Sequence, residues 1–194
     1  MNRPGGSARH DARADVVAEA TPRPPRRVGH FVLGTDEMDK ALAFFVDGLG
    51  FKISDRVGDG IATFMRCSTD HHNVMLMPGA TSYLNHYAVE MDDIDAVGTA
   101  GQAVLAERPD AGVVGMGRHI VGSNVFWYLL DPSGTMFEFY ADMDQIVDDE
   151  SWDRDHRRDD WSGEVAVWGP PEPPIFYSPS DIDEIIAARA AAGR

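Results

Sequence analysis

Val28-Gly-His30-Phe-Val-Leu-Gly-Thr-Asp36 and Leu84-Asn-His86-Tyr-Ala-Val-Glu-Met-Asp92 open alike: each places a histidine third, runs on apolar and reaches an acidic helix start. The two stretches read as an internal duplication, which makes His30 and His86 equivalent positions. A third candidate ligand, Glu138, lies in Thr135-Met-Phe-Glu138-Phe-Tyr140. There a period of two sends Met136, Glu138 and Tyr140 to one face of a strand and Phe137 and Phe139 to the other. Two histidines and one carboxylate on strands point to a mononuclear metal site.

Working outward from the first copy, the spacing predicts a strand over 28–34, a helix over 36–48, and strands near 51–55, 61–66 and 72–77. The second copy repeats the order: a strand over 83–90, a helix over about 92–106, a short strand near 112–116, and strands over 123–130 and 134–140. Asp131-Pro-Ser-Gly134 supplies turn chemistry between the last two. The fold class is therefore α+β, built from paired βαβββ modules at 28–78 and 83–141. A sheet this small cannot cover its own apolar face, so two copies around one shared concave surface are expected, with the ligand site in the cleft.

The chain has 194 residues, 43% of them hydrophobic, enough for one core. Its formal net charge of −15 argues against nucleic-acid binding. The basic clusters, Arg23 with Arg26 and Arg27 and Arg154 with Arg157 and Arg158, read as solvated tails. One cysteine, Cys67, excludes an intramolecular disulfide and reads as a buried small residue. No stretch has the length and apolarity of a membrane span and residues 1–27 carry no secretory apolar run, so a cytoplasmic enzyme is expected. Residues 1–27, rich in Gly, Pro, Ala and Arg, read as a flexible arm.

After Tyr140 the composition changes, and 142–194 reads as a C-terminal extension. It is acidic, interrupted by prolines at Trp168-Gly-Pro-Pro-Glu-Pro-Pro174, and closes with a helix from an N-cap at Ser180. Trp152, Trp161 and Trp168 are too apolar to leave free, and are expected to pin this tail over the cleft or against a second subunit of a homo-oligomer.

Further polar groups fall on strands expected to face the cleft. His72 opens the fourth strand of the first copy, and His71, its neighbour, should point the other way. His119 sits in a glycine-rich loop, and Tyr128 shares a strand face with Asn124 and Phe126. A facial set of two histidines and one carboxylate leaves three adjacent coordination positions open, as non-haem Fe(II) chemistry requires. A carboxylate flanked by Met136, Phe137, Phe139 and Tyr140 is costly to bury without a compensating ion.

These residues resemble the vicinal oxygen chelate superfamily, and within it the catalytic domain of type I extradiol catechol dioxygenases such as those acting on biphenyl-2,3-diol. The resemblance covers roughly 28–141. It rests on Asp70-His71-His72 placed ahead of His86, and on Gly117-Arg-His119 followed by Phe126-Trp-Tyr128, Asp131-Pro-Ser-Gly134 and Glu138. It implies a half-open barrel around the metal, with His30, His86 and Glu138 as Fe(II) ligands and Mn(II) an acceptable substitute. It further implies His72 as acid/base, and His119 with Tyr128 as a hydrogen-bonding pair holding a substrate oxygen. Many such enzymes carry a second, inactive paired-module domain ahead of the catalytic one, so this chain would be a single-domain form.

The implied reaction is extradiol cleavage of a catechol with incorporation of both atoms of O2. Val32, Phe64, Asn124 and Phe126 are the candidate pocket, and a neutral hydrophobic diol is the expected substrate. Two other readings keep the fold. One is a glyoxalase-like lyase or isomerase using Zn or Ni with a fourth protein ligand, for which the equivalent of Glu138 in the first copy falls near Val74. The other is a metal-free binding protein like the bleomycin-resistance members, which leaves the His30, His86 and Glu138 set unexplained.

Overall fold

A computed structural model describes residues 23–58, 62–159, 161 and 163–193. Most of the expected N-terminal arm, residues 1–22, lies outside the described residues. In chain order the strands are β1 (Arg27–Thr35), β2 (Lys52–Val57), β3 (Ala62–Arg66), β4 (Val74–Pro78), β5 (Tyr83–Glu90), β6 (Gly112–His119), β7 (Val125–Leu130), β8 (Met136–Ala141) and β9 (Ala166–Trp168). They form one mixed sheet in the order β2-β3-β4-β1-β5-β8-β7-β6-β9. The duplication is written into that order. β1 runs parallel to β4 as β5 does to β8, and the two copies join through the antiparallel pair β1 and β5.

Alternation decides which face each side chain takes. In β7, Val125, Trp127 and Leu129 face outward onto α2 (Ile94–Glu107), together with Phe139 and Ala141 of β8. The helix starts where the sequence indicates: the Asp93 side chain accepts from the Ala96 N–H at 2.7 Å. Gly101 lets the helix approach closely, since a Cβ there would stand 2.6 Å from the Trp127 ring. In the first copy, α1 (Met38–Ala43) and the turn after it cover Met65, Val74 and Leu76 from outside. The single helix expected over 36–48 is instead α1 followed by a π-helical turn, Phe44–Gly48. The Leu49 N–H reaches back five residues to the Phe44 carbonyl, widening the last turn so that Phe51 packs on Phe45.

On the other face lie Val114, Phe126, Tyr128 and Met136. Across this inner face, register brings one row of residues into line: His30 opposite Ala88, Ala88 opposite Glu138, and Glu138 opposite Tyr128. Ala88 is fully buried and short, so side chains from the strands on either side of it meet above it. Irregular register on both sides of the His30–Val32 segment re-aims this part of β1. Gly29 is required next to it, because a Cβ would lie 1.8 Å from the Tyr140 hydroxyl oxygen.

The tail after Ala141 spans the open side of the sheet. After α3 (Asp149–Asp155), the Arg56 N–H donates to the Arg158 carbonyl and the Gly58 N–H to the Trp161 carbonyl, so the chain first runs along β2. It then adds β9 to β6 at the other side of the sheet. Its last helix, α4 (Ile182–Ala191), begins two residues later than Ser180, and Asp181 occupies the N-cap position without a side-chain bond. None of that helix is buried.

Two other expectations are corrected. Cys67 is exposed, in the turn after β3, where its N–H donates to the Asn73 side chain. The N-terminal arginines are paired rather than merely solvated: Arg23 and Arg26 reach Asp92, Arg23 also Asp93, and Arg27 bonds Glu90 and the buried Asp70. Asp55 similarly receives Arg158. Acidic residues at strand ends and loops draw these cations in. Among the described residues no helix is long and apolar enough to cross a membrane.

Candidate metal centre and its cavity

His30, His86 and Glu138 are all buried, and one potential ligand atom of each lies within 4.8 Å of the others. Glu138 Oε2 is 3.0 Å from His30 Nε2 and 3.4 Å from His86 Nε2. Glu138 Oε1 is held from the other side by the Asn124 amide at 2.8 Å. Burial works to raise the Glu138 carboxyl, yet His30, with its Nε2 at hydrogen-bond distance from Oε2, outweighs it and holds the group well below the usual carboxylate range. The carboxylate is therefore ionised although fully buried.

Hydrogen bonding around His86 fixes what faces this carboxylate. The Asn85 amide donates to the Phe176 carbonyl at 3.0 Å, which leaves its oxygen to accept. That oxygen is 2.8 Å from His86 Nδ1, so Nδ1 carries the proton and Nε2 presents a lone pair. Burial lowers the His86 pKa, keeping the ring neutral near pH 7. A nitrogen lone pair thus confronts a carboxylate oxygen with no proton between them, and Nε2 has no hydrogen-bond partner among the described residues. Two acceptors held this way repel unless a cation lies between them. A divalent metal fits these residues.

Beside the three lies a cavity of ≈ 140 Å³. An engineered apolar cavity of roughly 150 Å³ takes up benzene, so one aromatic ring matches the space. Val32, Phe64 and Met75 line it from the sheet, Asn124 from just before β7, and Trp161, Val165 and Phe176 from the tail. Of the four expected pocket residues, Phe126 does not line it. Its ring is fully buried beneath His119, stacked at 4.1 Å between centroids, and sets the height of that imidazole. His119 itself ends β6 rather than standing in a loop, because Gly117 accommodates the Phe126 ring and β9 extends the ladder.

His119 Nε2 is 2.9 Å from the Tyr128 hydroxyl, and both reach the cavity. Burial lowers His119 to about 4, although Glu138 and the Val165 carbonyl pull the other way. Burial and the nearby Glu138 raise the Tyr128 phenol well above its ordinary value. Both groups are neutral at pH 7. His72 reaches the cavity from the turn before β4, with its ring centroid 4.4 Å from that of His30. Burial, followed by the surrounding histidines, lowers its pKa well below the ordinary value.

Residue-pattern reasoning passed over several groups of this site. Asn85 was legible only as a neighbour of His86, and Met75, Val165 and Phe176 carry no chemical signature. His71 avoids the cavity as expected, but the cause is not strand alternation. It lies in the turn before β4, with its ring bonded to His72 and Asp55.

A family model described as Glyoxalase/Bleomycin resistance protein/Dioxygenase superfamily matches residues 27–139, and the chain belongs to that superfamily. Metapyrocatechase 2 of Cupriavidus necator is 36% identical over 155 residues, covering 78% of this chain and 47% of the relative. The iron-dependent extradiol dioxygenase of Rhodococcus jostii is 30% identical over 156 residues, 73% of this chain and 50% of that one. Among solved structures, the Mn(II)-bound glyoxalase from Novosphingobium aromaticivorans superposes with a TM-score of 0.65 at 29% identity, covering 87% of this chain and 55% of the other. The chain spans about half the length of the curated relatives it matches.

Proposed function

We propose that this chain opens catechol-type diols beside the two hydroxyls, consuming O2 at a divalent metal held by His30, His86 and Glu138. The observation that carries the reading is the unshared lone pair of His86 Nε2 facing the Glu138 carboxylate, next to an apolar cavity of one-ring size. When bound, the metal supplies adjacent open positions where a chelating diol and dioxygen meet. Fe(II) is our reading of the ion. The nitrogen and oxygen donors accept Mn(II) as well, and the named relatives include an iron-dependent and a Mn(II)-bound protein.

The chain's own groups divide the proton work. His72, neutral because it is buried, accepts a hydroxyl proton of the diol and later returns it to the reduced oxygen. Tyr128 keeps its proton and gives it in a hydrogen bond to His119 Nε2 while the cavity is empty of substrate. A diol oxygen that has lost its proton is the stronger acceptor and draws the phenolic hydrogen to itself. Trp161, Val165 and Phe176 exclude water above the ring, which strengthens each of these bonds. The apolar lining selects a neutral, hydrophobic diol.

The lyase reading needs a fourth protein ligand. By strand register the counterpart of Glu138 in the first copy is Met75, adjacent to the expected Val74, so neither a carboxylate nor an imidazole stands where the fourth ligand would be. A homo-oligomer is part of this reading, with exposed Phe31, Phe44, Leu49 and Leu84 as the side chains a second copy would cover. The test is oxygen uptake. Protein loaded anaerobically with Fe(II) and given catechol, 3-methylcatechol or biphenyl-2,3-diol should consume one O2 per ring opened and form a yellow semialdehyde. No cleavage of any diol, with isomerisation of the methylglyoxal–glutathione adduct by the Zn or Ni form, would instead establish the lyase.

A further inference from the structure

Behind His72, on the side away from the cavity, three buried groups form a chain. His72 Nδ1 lies 3.0 Å from His71 Nδ1, and His71 Nε2 lies 3.0 Å from Asp55 Oδ2. Asp55 on β2 is fully buried, as is His71. The backbone N–H of Arg158 donates to Asp55 Oδ1 at 2.6 Å, and the Arg158 guanidinium lies 3.5 Å from Oδ2. The Trp152 ring covers His71 at 5.5 Å between centroids, and Phe64 packs on both histidines. Gly122, at φ +81, leaves the room they occupy: a Cβ there would stand 3.2 Å from His71 Nδ1 and 3.4 Å from His72 Cε1.

Position is fixed as firmly as contact. The His71 N–H donates to the Asp144 carbonyl, and Asp70 is tied by Arg27. The side-chain oxygen of Asn73 gathers the Cys67 N–H and the Ser68 hydroxyl across the same turn. A buried histidine has one donor and one acceptor nitrogen to satisfy. This pair spends both nitrogens of His71 to connect a cavity group to a carboxylate.

We propose that Asp55 and His71 are positioning residues that set the tautomer of His72, an inference that rests on the proposed ring-cleaving function for its catalytic meaning. An ionised carboxylate only accepts, so His71 Nε2 donates to Asp55. In the neutral ring Nδ1 then accepts, and the proton between the two Nδ1 atoms belongs to His72. His72 Nε2 is left with a lone pair turned away from this chain, ready to take a proton. The carboxylate also stabilises the imidazolium formed when it does, as the aspartate of a serine-protease triad does through a single histidine.

Asp55→Asn inverts this logic without changing size. The side-chain oxygen must face the Arg158 N–H, so the amide NH2 faces His71 Nε2 and donates to it. His71 then donates from Nδ1, His72 Nδ1 accepts, and the His72 proton moves to Nε2. The experiment is long-range 1H–15N correlation of the full chain labelled with 15N-histidine, with and without diamagnetic Zn(II), which reads each ring's tautomer whether or not any diol is cleaved. The wild-type chain should show His72 protonated on Nδ1, and Asp55→Asn should show it on Nε2. In the Fe(II) enzyme the same substitution should lower kcat by roughly 10²–10⁴ with KM and metal content little changed. His71→Gln, whose amide can donate to Asp55 and accept from His72, should retain more activity than His71→Phe.

Wild-type His72 protonated on Nε2 overturns the proposal even if Asp55→Asn does not fold. An unaltered His72 tautomer in folded Asp55→Asn does so too. The expected tautomers in a protein that opens no diol would sustain the positioning chain and defeat the proposed function alone.

Discussion

In the first copy Val32 of β1 pairs with Met75 of β4; in the second, Ala88 of β5 pairs with Glu138 of β8. The backbone geometry is the same, parallel strands in the same register, yet one copy presents a thioether to the cavity and the other a carboxylate. Both copies keep their histidine. Duplication therefore supplies a symmetric cradle, and one difference at an equivalent position decides whether that cradle offers two or three candidate ligands. The asymmetry continues around the cavity: the first copy supplies His72 with a buried carboxylate behind it, and the second supplies His119 with a phenol. His72 and the His119–Tyr128 pair reach the same cavity from opposite halves.

The comparison breaks most visibly at Glu138. Glu138→Ala should release the metal and abolish turnover, a larger loss of affinity than the roughly 10–100-fold that follows removal of an outer-shell partner. His72→Ala should keep the metal and lower kcat by roughly 10²–10⁴. Metal analysis beside turnover separates the two, and equal metal loss in both would make His72 a ligand.

Making the copies alike sharpens the contrast further. Met75→Glu places a carboxylate at the register of Glu138 and should convert three protein ligands into four. The metal should remain, while ring opening falls by about 10² or more, since the several kcal/mol a metal contributes depend on its open positions. Full activity in Met75→Glu would show that the counterpart position does not reach the metal.

The smallest effect concerns stability of the second copy. Burial holds His119 near 4 in the folded chain against an ordinary value of 6.5. Between those values the unfolded chain binds a proton that the folded chain refuses, so stability is lost as pH falls through this window. From pH 7.5 to 5, His119 alone should cost about 2 kcal/mol. Urea midpoints at the two values measure the loss, and His119→Gln should shrink it by that amount.

The sequence by itself carried the duplication, because a repeated histidine and a repeated strand–helix order are local patterns that survive without coordinates. Alternation also placed Met136, Glu138 and Tyr140 on one face, since a pleated strand permits no other arrangement. The turn at Asp131-Pro-Ser-Gly134 was readable for the same local reason, and Gly134 takes φ +85 within it. Where the reading erred, the deciding partner lay on another strand or in the tail. Phe126 shares a face with Tyr128, but His119, arriving on the neighbouring strand, covers it. The extra residues of β6 depend on β9, contributed by the tail nearly fifty residues later. His71 was read from its neighbour in the chain, whereas its role comes from Asp55 on another strand and from Trp152 in the tail.

Side-chain period and turn chemistry act over a few residues and can be read from their order. Which buried nitrogen holds a proton depends on acceptors whose orientation is set by groups far along the chain. For His86 that acceptor is Asn85, oriented by the carbonyl of Phe176, and only the folded molecule brings those three together.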